Sequence, residues 1–193
     1  MLISALFLAL GALPSALPVA GIGTGAAVAV CFSPEENCTA FAVDAIDRAE
    51  TQILVNAYGL TTSSRTVEAL IRAKQRGVEV KLIADRTTPC ERNSGVGPLA
   101  RAGIPIWIDH TARIAHSKSM VIDGKVTLTG SMNWTGGAAL NSENLNLVAS
   151  PSIAAAYAGH WHQRLALSSP YTQQVDWCRS RETVGLKSES WPR

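Results

Sequence analysis

His116 and Lys118 stand two residues apart in the stretch "IAHSKSMVIDGKVTLTGSMNWT", Asp123 follows, and Ser131 and Asn133 repeat the same spacing after Gly130. In an extended segment residues i and i+2 point to one face. The imidazole and the ammonium therefore converge on one point, as do the hydroxyl and the amide. An imidazole can attack phosphorus or carry a proton, an ammonium neutralises an anion, and Ser131 and Asn133 offer neutral hydrogen bonds to its oxygens. Gly130 permits close backbone approach. Glu143 is a candidate to hydrogen-bond the second ring nitrogen of His116, fixing its tautomer and stabilising its charged form. Cleaving a phosphodiester requires a nucleophile, a proton for the leaving alkoxide and positive charge on the non-bridging oxygens. Metal ions can supply most of this, and so can imidazoles and a lysine.

The pattern H-x-K-x4-D in "HSKSMVID", followed by "GSMNW" and "NSEN", resembles the HKD motif of the phospholipase D superfamily. The region from Cys31 to about Leu167 is similar to that superfamily's small, secreted bacterial endonuclease branch. The resemblance implies a covalent phosphohistidine on His116, phosphate binding by Lys118 and Asn133, assistance from Ser131 and orientation of His116 by Glu143. It makes Asp123 a structural more than a catalytic member of the motif, which suits its place in the Asp123-Gly124 turn. It implies no cofactor and no metal. Larger members carry two HKD motifs, whereas this chain has one and no internal repeat. Two histidines are needed, one as nucleophile and one as acid and then base. The second is expected from a twofold homodimer with a shared active site, because a twofold interface apposes the same patch on both subunits.

The elements that must position these groups read as alternating helices and strands. "TAFAVDAIDRAE" from Thr39 has helical spacing, and "QILVNAY" from Gln52 is a strand-forming run. Ser63 or Ser64 can cap "SRTVEALIRAKQRG", and Gly77 supplies its stop. "VEVKLIAD" alternates as a strand, Thr87 to Gly97 reads as a loop, a short helix spans Val96 to Arg101, and "IPIWID" is a strand. Asp123-Gly124 joins "SMVID" to "KVTLTG" as a hairpin. "ENLNLVA" is a further strand, and "SIAAAYAGHWHQRLAL" is a helix with Ile153, Tyr157, Trp161 and Leu165 along one face. The fold class is α/β, a mixed β-sheet sandwiched between helices, and the resemblance makes it phospholipase D/nuclease-like.

With 193 residues there is room for one ordinary domain. All 17 Lys and Arg and all 15 Asp and Glu lie from Glu35 onward. Residues 1–30 therefore read as a signal peptide or an N-terminal anchor, with Leu2 to Leu13 as the apolar region; Pro14, Pro18 and interspersed glycines break a continuous span. Residues 31–167 form the single HKD domain and 168–193 an irregular tail. Cys31, Cys38, Cys90 and Cys178 make an even count that fits disulfides in an oxidising compartment, periplasmic or secreted. Of three possible pairings we expect Cys31 with Cys38, close in sequence, and Cys90 with Cys178, tying down the tail.

A net charge of +2 does not mark a nucleic-acid binder, although Arg86, Arg92, Arg101, Arg113 and Lys118 outnumber Asp85, Glu91 and Asp109 around the motif. His110 reads as a loop residue, and His160 and His162 face different ways on a helix, a poor metal pair. Trp134 can stack on a base or pack, Trp107 and Trp161 read as core, and "TGSMN" lacks the serine-hydrolase elbow. The expected activity is metal-independent phosphodiester hydrolysis, with DNA or RNA as substrate. A phospholipase D releasing a lipid head group is the alternative, and a non-catalytic anion-binding module the remote one.

Overall fold

The computed structural model describes residues 25–172 and Cys178; most of the apolar leader and the tail beyond Thr172, Cys178 excepted, lie outside the described residues. One eight-stranded sheet runs through the domain in the order β1-β7-β6-β5-β2-β3-β4-β8. Its strands are β1 (Ala27–Ser33), β2 (Gln52–Ala57), β3 (Glu79–Asp85), β4 (Ile106–Asp109), β5 (Lys118–Ile122), β6 (Val126–Gly130), β7 (Glu143–Ala149) and β8 (Ser169–Pro170). The pairs β2–β3 and β3–β4 are parallel, and every other pairing is antiparallel.

Helices cover both faces, as the alternating pattern predicts. On one face α1 (Cys38–Asp47), α2 (Arg65–Gln75) and α3 (Val96–Arg101) bury Ile46, Leu70 and Leu99 against Ile53, Val55, Leu82 and Met120. On the other, α4 (Pro151–Leu165) sets Trp161 and Ala154 against Leu54, Ile83 and Val121. The alternation of β2 decides this division, because successive side chains leave opposite sides of the sheet. Trp161 anchors α4 further by donating from Nε1 to the Val55 carbonyl at 2.9 Å.

Local signals act where the sequence places them. The Ser64 hydroxyl accepts from Thr66 N at 3.4 Å at the start of α2, and Gly77, at φ +94°, follows the helix end. Asp123 and Gly124 take φ of 53° and 62°, the primed turn a two-residue hairpin requires between β5 and β6. Both expected disulfides are present, Cys31–Cys38 and Cys90–Cys178, with Cα–Cα distances of 5.6 and 5.4 Å.

Three features depart from the reading of the sequence. The sheet begins at Ala27, inside the stretch assigned to the leader, because β1 pairs along the whole of β7, from Ala27 opposite Ala149 to Ser33 opposite Glu143. The tail, expected to be irregular from residue 168, starts with β8 on β4. A 3₁₀ turn, Gly136–Leu140, fills the connection before β7. Among the described residues no helix is long and apolar enough to cross a membrane.

Candidate active site

The site gathers where the carboxyl end of β2 meets the amino end of β5. Antiparallel pairing sets Ala57 opposite Lys118, and Tyr58 N donates to the Ser117 carbonyl at 3.1 Å. This fixes the strand on which the histidine and lysine ride. His116 is exposed just ahead of β5, while Lys118 is buried, with 7% of its surface accessible. Lys118 Nζ lies 2.9 Å from His116 Nδ1, 3.1 Å from Nε2 and 2.9 Å from the His116 carbonyl oxygen. The two ring nitrogens have diverging lone pairs, so a single ammonium cannot bond both along them; it rests against the ring and donates to the carbonyl. The expected shared face of His116 and Lys118 is thus observed.

Tyr58, which the sequence did not single out, closes the third side. Its ring centroid is 4.3 Å from that of His116, and Lys118 Nζ sits 4.8 Å above its face. Burial lowers the Lys118 pKa below the ordinary 10.5, and the nearby Glu143 carboxylate partly restores it.

The second half of the motif hangs on β6 and β7. A Cβ at Gly130 would run into the Asn144 carbonyl, so only glycine lets the chain pass there. Ser131 N donates to that same carbonyl at 3.1 Å. Ser131 Oγ accepts from Asn144 N at 3.0 Å and donates to Glu143 Oε2 at 2.5 Å. Glu143 Oε1 accepts from Asn141 Nδ2 at 3.2 Å. The expected bond from Glu143 to His116 is therefore replaced: both oxygens of Glu143 are held on its own side of the site by Ser131 and Asn141, and it acts on Lys118 through space.

Asn133 packs over Gly59, whose φ of +75° and missing side chain make the room; a Cβ there would stand 3.3 Å from Asn133 Cγ and 3.3 Å from Thr135 Cγ2. The Asn133 side-chain oxygen is buried with no hydrogen-bond partner among the described residues. Trp134 is core. It is 1% exposed, and its Nε1 donates to the Asn56 carbonyl at 3.1 Å while its backbone joins Gly59 and Thr61. Glu91 supports this loop from below, its Oε2 accepting from Leu60 N at 3.1 Å. Burial raises the Glu91 pKa, the Leu60 bond opposes that, and neighbouring Asp85 adds to it.

Asp123 stands apart from the other motif residues. It follows the far end of β5, roughly 16 Å from Lys118 at about 3.3 Å per residue. Its Oδ1 accepts from Thr51 N at 2.7 Å, Gln52 N at 3.0 Å and Thr51 Oγ1 at 2.8 Å, and its Oδ2 from Glu50 N at 3.0 Å. Burial alone would raise its pKa, but these bonds outweigh it and hold the carboxyl below the ordinary 3.8. The expected structural role for Asp123 matches this geometry, and a place among the reacting groups does not.

His110 sits after β4 with Nδ1 3.2 Å from the Ile108 carbonyl, as a loop residue. Among the described residues no cluster of three or more His, Cys, Asp or Glu side chains could hold a metal ion. A cavity of about 210 Å³ opens beside His116 on the α4 side of the sheet.

Comparison with known proteins places these residues in a wider group. A family model described as "Cardiolipin synthase, PLD-like domain" matches residues 42–165. Proteins named Phospholipase D from Rickettsia felis and Rickettsia bellii are 39% and 40% identical over 140 residues, which is 72% of this chain and 70% and 69% of theirs. The crystal structure of Nuc from Salmonella typhimurium, a phospholipase D family member, matches with a TM-score of 0.71 at 33% identity, covering 76% of this chain and 98% of that one.

Proposed function

The chain belongs to the phospholipase D superfamily and is one of its phosphodiesterases, and from that premise we propose that it is an exported endonuclease cutting DNA or RNA through a phosphohistidine on His116. The observation that carries the proposal is the pairing of an exposed imidazole with a buried ammonium, His116 and Lys118. In this mechanism a His116 ring nitrogen attacks phosphorus and the P–O bond to the leaving alkoxide breaks. A second imidazole gives that alkoxide a proton. The same imidazole then takes a proton from water, whose oxygen displaces His116 from phosphorus. In this proposal Lys118 and the Asn133 amide hold the non-bridging oxygens and oppose the charge that grows on them, and Ser131, whose hydroxyl hydrogen goes to Glu143, assists by fixing that carboxylate.

In this proposal a second copy of the chain supplies the second imidazole, and the homodimer shares one cleft. Export is supported by the two disulfides, which persist in oxidising compartments. A phospholipase D activity is the second reading, favoured by the names of the Rickettsia relatives. Plasmid DNA, RNA and phosphatidylcholine vesicles, each assayed in EDTA beside His116→Asn, test the proposal. Nucleic-acid cleavage that survives chelation and is lost in the variant supports it. Head-group release without nucleic-acid cleavage makes the enzyme a phospholipase. A monomer fully active at high dilution removes the dimer.

A further inference from the structure

The cavity is lined at one end by His116 and Ser117 and extends from them toward α4, away from Lys118, Ser131 and Asn133, none of which lines it. Asn56, Ala57 and Ile83, at the ends of β2 and β3, form its floor, Ala112 and Ala115 one wall, and His160 and Arg164 of α4 the other. We propose that this cavity binds a single unstacked nucleobase, that of a nucleotide attached to the phosphate His116 attacks. The inference rests on the nuclease reading and names a subsite for it.

Size, charge and lining each narrow the occupant. About 210 Å³ is below the roughly 300–1,000 Å³ of pockets that enclose drug-sized molecules, so one ring system fits where paired acyl chains do not. The one cation of the lining is committed: Arg164 donates from Nε and Nη2 to the two oxygens of Asp109, both at 2.7 Å, and from Nη2 to Thr111 Oγ1 at 2.7 Å. Asp109 thus balances the Arg164 charge and, 1% exposed, is not free to take a cationic head group. Among the described residues no Phe, Tyr or Trp lines the cavity, so they form no aromatic cage of the kind that holds a quaternary ammonium. What remains is an apolar slot of Ala57, Ile83, Ala112 and Ala115 with two further hydrogen-bonding groups, the His160 imidazole and the Asn56 side-chain carbonyl oxygen, Asn56 Nδ2 donating to Ser119 Oγ at 3.2 Å. A planar base has the same make-up, an apolar face and a polar rim.

Single-stranded oligonucleotides in which one nucleotide is replaced by an abasic residue test the assignment. The rate at each flanking bond is compared with the intact strand, for the wild type, for Ala112→Phe, which fills the slot from a loop, and for His160→Ala, which opens it. In the wild type, removing the base beside the cleaved bond should slow cleavage about fivefold, the worth of about one net hydrogen bond. Ala112→Phe, verified as folded by its melting curve, should bring that ratio close to one, and His160→Ala should reduce it. Equal wild-type rates with and without the base overturn the subsite and leave the nuclease reading standing, as does full discrimination in both folded variants. Failure to cleave any nucleic acid, with phosphatidylcholine hydrolysed instead, overturns both.

Discussion

Replacing Asp123 with Asn separates two roles that the HKD pattern leaves joined. Asn tolerates the φ of 53° at this turn and keeps one carbonyl oxygen to accept from Thr51 and Gln52, so the backbone conformation is preserved. It removes the charge, and its amide nitrogen confronts Glu50 N–H, which now donates to Oδ2 at 3.0 Å. One charge-assisted bond is lost and the remaining bonds become neutral ones. The lost bond alone, at about 1.5–3 kcal/mol for a bond to a charged group, puts the net loss at no less than about 2 kcal/mol. For a chain of this size that lowers the melting temperature by about 4–8 °C. The deficit depends on pH in a fixed sense. The carboxyl is held below 3.8 in the folded protein, so its contribution is fully present above about pH 4 and fades as the pH falls through the lower, folded value. Wild-type and variant melting curves at pH 7 should therefore be separated, and should converge on acidification. With Asp123 roughly 16 Å from Lys118 along the strand, turnover of the folded variant at 25 °C should change less than about threefold. An unchanged melting temperature with turnover down a hundredfold would refute this and make Asp123 a reacting group.

Gly59→Ala should lower turnover by displacing Asn133, and should cost about 1–2 kcal/mol for a left-handed non-glycine residue; oligonucleotide kinetics and melting curves check the two effects. Because burial lowers the Lys118 pKa, inhibition by inorganic phosphate should weaken on the alkaline side at a pH below 10.5. Removing the Glu143 charge in Glu143→Gln should move that limb further down, and a shift upward would contradict the assigned electrostatics. Of the two disulfides, replacing Cys90 and Cys178 together with Ala should destabilise more than replacing Cys31 and Cys38. Sequence separations of 88 and 7 give about 4–5 and 2 kcal/mol in the chain-entropy account, and melting midpoints of the two double variants order them.

The parts of the site that were legible in the sequence are those that a local rule governs. His116 with Lys118 follows from strand periodicity, Asp123-Gly124 from the φ values of a two-residue hairpin, and Gly130 from the need for close backbone contact. The parts that were not legible depend on chain segments meeting across the sheet. Tyr58 reads as the last residue of an apolar run, and nothing nearby says that β5 will bring an imidazole and an ammonium to its ring. The positive φ of Gly59 and the bond from Leu60 to Glu91 arise from the same crossing. Glu143 was placed in the right region, but its hydrogen bonds go to Ser131 and Asn141, neighbours across a hairpin and along the strand, because these reach it first. Strand β1 was hidden by composition: Ala and Val suit a leader and an edge strand alike, and only pairing with β7 tells them apart.

That pairing has a practical consequence for preparing the protein. A chain started at Cys31, the boundary composition draws, would keep the β1 pairs from Leu145 to Glu143 and lose those of Asn146, Leu147, Val148 and Ala149. The stripped half of β7 would become an open sheet edge, the kind of template on which chains add to one another and precipitate. Starting at or before Ala27 keeps β7 paired along its whole length, with β1 as the edge strand.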